Sequence, residues 1–495
     1  MARVAVIGGG VGGLAAALML GRRGHRVTVF EQDARRAGDD PHHDFFHWRR
    51  PRVPQADQPH SFLAPVRAVL RAELPDVLAD LLARGARAYH EFDWFGTRPP
   101  HRPGDEDLVT LRTRRIVLEA ALVAAVRRES AVTVRQGSKV DGLTHTPGRP
   151  PRVTGVRVGA GTYPADLVVD ASGRRSPVPG WLVAAGCRPP VVDSHRTGLA
   201  YLCRWYRLGP DGPREPGRVK TGSSAPFALA GVFPSDNDTF AVNLVVSTGD
   251  PTRGALRDPA VFETLARHFP ACAAWLGLAA EPLSPVLAMA GLDNRWTALA
   301  DAAGPVVTGL VNTGDSLIHT NPTLGHGVAL GLRTAQHLAA HADSVAADPA
   351  GYHAWTVREL RPVFDAQVTG DRSVAERLSE GAPPSDHRAA ALAACAFDDP
   401  VVMRARAQVR HLVHPPAEAY GTDEVERHLA AWLTAHPEFT PGHDGPSGRR
   451  SSPVHRPTPS SRPPPADRPP RPRPARPGPP GDDAPARVRR VRAAR

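Results

Sequence analysis

Three glycines and one carboxylate near the start of the chain have the types and spacing for binding phosphate and ribose. In "RVAVIGGGVGGLAAALMLGRRGHRVTVFEQD", Gly8, Gly10 and Gly13 follow a short apolar run and lead into an alanine- and leucine-rich stretch. Gly8 suits a tight turn, Gly10 lets backbone approach a pyrophosphate, and Gly13 lets a helix pack close against a strand. Val11 opens that helix, whose free N–H groups and positive dipole end suit phosphates. Glu31 stands about twenty residues on, at the end of a second strand, where a carboxylate accepts hydrogen bonds from ribose hydroxyls. A lone glycine pattern means little, but here strand, glycines, helix, strand and acid fall in the required order. An acid at that point disfavours a 2′-phosphate, so the ligand expected is FAD or NAD and not NADP.

Two later stretches carry a second set. "LVVDASGRRSPVPGWL" (167–182) is an apolar strand ending in Asp170, then a turn at Gly173 and basic residues. "VNTGDSLIHTNPTLGHGVALGL" (311–332) places Gly314 and Asp315 after an apolar run, then Pro322, Gly325 and Gly327. Pro322 stiffens the turn, Gly325 and Gly327 remove side chains so that backbone can approach a neighbour closely, and a helix is expected from about Val328, its positive dipole end suited to negative charge. His60, His319 and His326 lie near these motifs and are candidate proton donors or cofactor contacts, although a lone histidine is more often structural.

Together these segments resemble the class A flavoprotein monooxygenase superfamily, which includes aromatic hydroxylases and squalene-type epoxidases. The likeness runs over roughly residues 1–340. It includes "RRPRVPQADQPHSFL" (49–63) and "RTRRIVLEAAL", which resemble the family's "RPGVPQ" segment and "SRxxLE" helix start. The resemblance implies that Gly8, Gly10 and Gly13 hold the FAD pyrophosphate and Glu31 the adenosine ribose. Arg115 would face the FAD phosphates and ribityl chain, with Arg114 as its neighbouring alternative. Asp315 would bind the ribityl hydroxyls. Asp170 would stand at the aspartate of a DG-type motif near FAD and the nicotinamide, although this chain reads Asp-Ala-Ser-Gly-Arg there.

The elements needed to position these residues make an α/β protein. The expected architecture is a Rossmann-like FAD-binding domain with a parallel sheet (1–180 and 291–345), an interleaved β-rich substrate domain (181–290), a helical region (346–437) and a disordered tail (438–495). "TGLAYLCRWYRL", "PFALAGVFP" and "TFAVNLVVST" read as strands, with a turn at "SDND". Tyr201, Trp205, Tyr206, Phe227 and Phe233 are the candidate lining of a substrate pocket, each also readable as a core aromatic.

The charge of +11 over 495 residues looks like a nucleic-acid signal, but its distribution argues otherwise. Residues 441–495 hold 13 Arg, 4 Asp and no Lys or Glu, a net +9, leaving +2 for the other 440 residues. With 16 prolines this tail has little to bury, and no specific nucleic-acid partner is expected. No apolar run reaches the ~20 residues that span a bilayer, and "MARVAVIGGG" passes straight into the glycine motif without a signal peptide, so a cytoplasmic protein is expected. Cys187, Cys203, Cys272 and Cys395 are far apart with no CxxC pair, which suits reduced buried thiols and no metal site.

The resemblance implies an FAD-dependent monooxygenase. NADH or NADPH reduces the flavin, oxygen adds as a C4a-hydroperoxide, and an apolar aromatic or polyketide- or terpenoid-like molecule of secondary metabolism is hydroxylated or epoxidised. No second glycine loop is visible, so the nicotinamide binds transiently or a separate flavin reductase supplies electrons. The alternatives are a flavin-dependent reductase or dehydrogenase of the geranylgeranyl-reductase type, and a flavin-binding scaffold without activity. A flavin halogenase needs a lysine near the substrate, and the only lysines, Lys139 and Lys220, lack the Trp-x-Trp-x-Ile-Pro context.

Overall fold

The computed structural model describes residues 1–38, 40–381 and 386–446. At its centre is a five-stranded parallel sheet in the order Leu310–Asn312, Leu167–Asp170, Arg3–Ile7, Arg26–Glu31, Val132–Gln136. Its inner strands, with Val4–Ile7 and Leu167–Val169, read as continuous apolar runs because both faces are covered. Val4, Val6, Val27, Val29, Leu167 and Val169 enter one core, while Ala5, Ile7, Phe30 and Val168 enter another on the opposite face. This is the period-two alternation of a pleated strand divided between two layers.

The first core also takes the helix Val11–Arg22, which is buried from Leu14 to Gly21. That helix is hydrophobic all round and carries Ala15, Ala16 and Ala17, so neighbours approach it closely from several sides. The helices Arg115–Arg128 and Gly327–Ala340 belong to the same core. The latter begins one residue before the expected Val328.

The segment between the sheet strands builds a second, antiparallel sheet, in the order Gly222–Ala225, Ala228–Pro234, Thr239–Ser247, Leu199–Arg207, Glu281–Pro282. The three long strands match the expected ones. The turn between Pro234 and Thr239 holds Asn237 and Asp238 at φ +50° and +56°, the left-handed conformation that Asn and Asp tolerate in hairpins.

The C-terminal region is helical as expected. The helix Arg361–Glu380 packs its Leu378 with Tyr201 and Val245 of the second sheet. His387–Cys395, Pro400–Arg410 and Asp423–Ala435 form a small core of their own with Phe92 and Leu108. Asp399 caps the middle one, accepting from Val401 N at 2.8 Å and Val402 N at 3.1 Å, with proline at the first helical position.

The tail was expected from residue 438. The chain instead stays tied to the fold a little further: Ser224 N donates to Asp444 Oδ1 at 2.7 Å and Gly445 N to Ser224 O at 2.8 Å. The rest of the expected disordered tail lies outside the described residues. All four cysteines are buried and unbridged, and no helix among the described residues is long and apolar enough to cross a membrane.

Candidate active site

The parallel strands end at a cavity of about 2240 Å³ that reaches to the second sheet and the C-terminal helices. The glycine loop forms one wall. Gly8 holds φ +105°, and a Cβ there would sit 2.5 Å from Ala171 O. A Cβ on Gly13 would sit 2.0 Å from Gly8 O, so loop and helix can close only with glycine at both places. Gly8, Gly10, Val11 and Gly12 line the cavity, and a Cβ on Gly12 would meet nothing within 4 Å. Gly10 caps the helix without a side-chain hydrogen bond, which leaves first-turn N–H groups for an anion.

Glu31 ends its strand on the same wall. Its Oε2 accepts from Gly9 N at 2.6 Å and its Oε1 from Asp33 N at 2.7 Å. These two bonds orient the carboxylate and leave lone pairs on both oxygens.

The two adjacent arginines separate. Arg115 lines the cavity, and its guanidinium lies 3.9 Å from where a Gly10 Cβ would be. Glu119, one turn on, accepts from Arg115 Nε at 2.8 Å and also pairs with Arg50. Against burial, which alone would raise it, Arg115 and Arg50 hold the Glu119 carboxyl below its usual range. Glu119 was part of the quoted "RIVLE" stretch but was not singled out. Arg114 turns inward and is fully buried against Asp236. It is a structural ion pair, not an alternative phosphate ligand. Asp236 also accepts from Arg114 N at 2.6 Å.

The turn after the strand Leu310–Asn312 supplies Gly314 and Asp315. Gly314 adopts φ +58°, and a Cβ there would sit 3.9 Å from Gly331 Cα of the following helix. Asp315 lines the cavity half-buried, with no hydrogen-bond partner among the described residues. Pro322 starts a short 3-10 turn that Gly325 closes at φ +74°, and Gly327 begins the helix; all three line the cavity.

Asp170 departs from expectation. Its carboxylate is buried and accepts from Ser172 N at 3.0 Å and from the hydroxyls of Ser172 and Ser176, both at 2.5 Å. Burial pushes the carboxyl up, against those hydrogen bonds. Asp170 therefore closes its own turn and does not line the cavity, whereas Ser172 and Gly173 do.

The pocket aromatics divide. Tyr201 and Phe233 line the cavity. Trp205 is core, with its Nε1 donating to Asp57 O at 2.8 Å and its ring edge-on to Phe45 at 5.0 Å. Tyr206 and Phe227 pack on the far core of the second sheet. Along Leu199–Arg207, residues alternate between faces, so Tyr201 and Tyr206, of opposite parity, cannot share one.

The three histidines all reach the cavity. His60 Nδ1 lies 2.9 Å from Gln58 O and His319 Nδ1 2.6 Å from Asp293 O. A carbonyl only accepts, so each Nδ1 carries its proton and each Nε2 is left as an acceptor. Burial lowers His60 to about 4, with Arg115 acting in the same direction. His326 is buried, its Nδ1 has no hydrogen-bond partner among the described residues, and burial lowers it to about 4.

A polar cluster behind Tyr201 was not anticipated. Tyr201 Oη donates to Asn321 Oδ1 at 3.0 Å, while the buried Asp371 accepts from Asn321 Nδ2 at 2.9 Å and Asn294 Nδ2 at 2.7 Å. Asn321 lies in the quoted 311–332 stretch, but Asp371 sits mid-helix fifty residues on, where no spacing rule connects them.

Donors and acceptors here fit FAD: an open helix N-terminus flanked by Arg115, an oriented carboxylate at Glu31, and an unpartnered one at Asp315. The family model "FAD dependent oxidoreductase" matches residues 3–43. Protein Rv3254 of Mycobacterium tuberculosis is 28% identical over 410 residues, covering 76% of this chain and 82% of that protein. PqsL of Pseudomonas aeruginosa, described as "a probable FAD-dependent monooxygenase", aligns with TM-score 0.54 and 19% identity over 77% of this chain and 99% of its own. The flavin-dependent halogenase CmlS aligns with TM-score 0.52 and 18% identity over 88% of this chain and 78% of its own. The chain shares its fold with PqsL, and its N-terminal segment matches the FAD dependent oxidoreductase model.

Proposed function

We propose that the chain is a monooxygenase, a hydroxylase or epoxidase of an apolar aromatic or polyketide- or terpenoid-like small molecule, with NADH or NADPH as reductant. One observation carries this reading: the phosphate cradle, Glu31, Asp315 and the sheet residues Tyr201 and Phe233 share one cavity of about 2240 Å³. That volume exceeds the ~1,000 Å³ upper range of an ordinary ligand pocket, which leaves room for a substrate beside a dinucleotide.

Bound FAD would supply the redox and oxygen-activating chemistry. The chain's own residues bind, orient and exclude water. The first-turn N–H groups and Arg115 would hold the pyrophosphate, Glu31 would accept from the adenosine ribose, and Asp315 from the ribityl hydroxyls. The N-terminus of the helix Gly327–Ala340 would stabilise negative charge on the flavin. His60, with its Nδ1 proton on Gln58 O and its pKa near 4, is a neutral acceptor at pH 7. Tyr201 and the Asn321–Asp371 cluster hold one wall rigid beside the substrate.

The test is to reduce the purified holoprotein anaerobically with dithionite, admit oxygen, and then supply NADH or NADPH in air. Rapid return of the flavin absorbance and reductant-driven oxygen uptake are expected. Reduced flavin that persists in air would overturn the monooxygenase reading and leave a reductase or dehydrogenase.

One observation favours a second reading, a halogenase. Both lysines line the cavity, although neither has the Trp-x-Trp-x-Ile-Pro context. Lys139 follows Ser138, whose N donates to Glu31 O at 2.7 Å, so it stands at the ribose end. Lys220 stands at the other end, its Nζ 4.6 Å from the Phe397 ring centroid. Turnover that requires bromide or chloride and disappears in Lys220→Ala would favour this reading.

A further inference from the structure

The helix Pro400–Arg410 presents three arginines, two of which are neutralised. Arg404 is paired bidentately with Asp105 at 2.7 and 2.9 Å. Arg410 donates to Glu91 Oε1 at 2.6 Å. Arg406 has no ion pair or hydrogen bond among the described residues, although it is half-buried in the cavity wall. Its guanidinium lies 5.0 Å from the Phe397 ring centroid, and Lys220 Nζ lies over the same ring.

Lys220 apart, other charges on this wall are committed. Glu91 is buried and already accepts from Arg410, from His411 Nε2 at 3.1 Å and from Thr110 Oγ1 at 3.2 Å. Arg112 pairs with Glu215 and stacks 3.7 Å from the Tyr89 ring centroid. Arg218 donates to Phe397 O at 3.1 Å. Burial lowers the Arg406 pKa, and Arg410 adds to this, but a guanidinium keeps its proton in proteins. A cation so placed, with its neighbours' carboxylates already engaged, is stabilised by a ligand anion. The flat rings of Tyr89, Trp94, Phe397 and Tyr420 line the same wall.

The geometry points to Arg406 as the receptor for a substrate carboxylate, so that the substrate is an aromatic acid held at the C-terminal-helix end of the cavity. This rests on reading the cavity as a substrate cavity. A carboxylate would accept two parallel N–H bonds from the guanidinium while its ring lies against the aromatic wall.

Calorimetry on the oxidised holoprotein tests this without turnover, so its failure leaves the monooxygenase reading standing. The probes are 2-naphthoate and the neutral 2-naphthamide. Naphthoate is expected to bind at least about tenfold tighter, because hydrogen bonds between charged partners are stronger than those to a neutral amide. Arg406→Gln should erase that preference with the flavin still bound, and Arg406→Lys should retain part of it. Equal affinity for the two probes, or a preference unchanged in Arg406→Gln, would overturn the proposal. So would 2′,5′-ADP binding that depends on Arg406, which would assign the cation to a nucleotide phosphate.

Discussion

The two ends of the cavity are built by different means. At the glycine-loop end the contacts are mostly backbone: first-turn N–H groups, a left-handed Gly8, and a Gly13 that admits no side chain. The residues responsible are neighbours in sequence. At the C-terminal end the contacts are side chains brought from far apart, Tyr89, Lys220, Phe397 and Arg406 among them. A backbone site needs particular conformations, and these leave a local signature. A side-chain site needs only that unlike segments meet.

The largest expected effect tests whether the neighbouring arginines really have separate duties. Asp236→Ala leaves Arg114 buried without its carboxylate, which should cost ~3–5 kcal/mol in urea unfolding. If stability is kept and only FAD is lost, Arg114 belongs to the cofactor site and the division fails. Next is the glycine end. Gly13→Ala forces a Cβ against Gly8 O, and overpacking of this kind costs ~1–3 kcal/mol. Its flavin-to-protein absorbance ratio should fall sharply. An unchanged ratio would show that the close approach of helix and strand does not shape the cradle.

Asp315→Ala sharpens the comparison by removing a side chain from the backbone-dominated end. FAD affinity should fall about 10- to 100-fold, the worth of hydrogen bonds to a charged group, with the melting temperature of the apoprotein unchanged. A loss of apoprotein stability would make Asp315 structural. The smallest effect concerns His326. Its pKa in the fold is about 4 against an ordinary 6.5, so the unfolded chain takes up the proton first as pH falls. Its contribution to stability is complete above pH 6.5 and is lost between there and about 4. His326→Gln should flatten the pH dependence of stability in that window, and an unaltered slope would show that His326 does not supply it.

Legibility followed the same division. The strand Arg3–Ile7, the helix Val11–Arg22 and the strand Arg26–Glu31 stand where the apolar runs and glycines put them, because both signals are local. Arg115 and Asp315 line the cavity as the motifs implied. Trp205 and Phe227 do not: Trp205 shares Tyr201's parity but is covered by Phe45 and Asp57, and Phe227 sits in the turn before Ala228–Pro234, packed on the far core. Asp170 was read as a cofactor residue, but its two serines, at spacings any turn could have, claim its carboxylate.

By itself, the sequence determined the glycine loop with its open helix N-terminus, the oriented acid after the second strand and the parallel sheet that carries them, because backbone conformation and strand burial are written in adjacent residues. Only the tertiary structure decided which of two adjacent arginines faces the cavity, that Asp371 stands behind Tyr201, and that Arg406 faces the cavity without a carboxylate of its own. Arg114 is the extended N-cap, ψ 147°, and Arg115 the first helical residue, so the backbone turns between them and their side chains diverge. What each one meets is set by elements more than a hundred residues away.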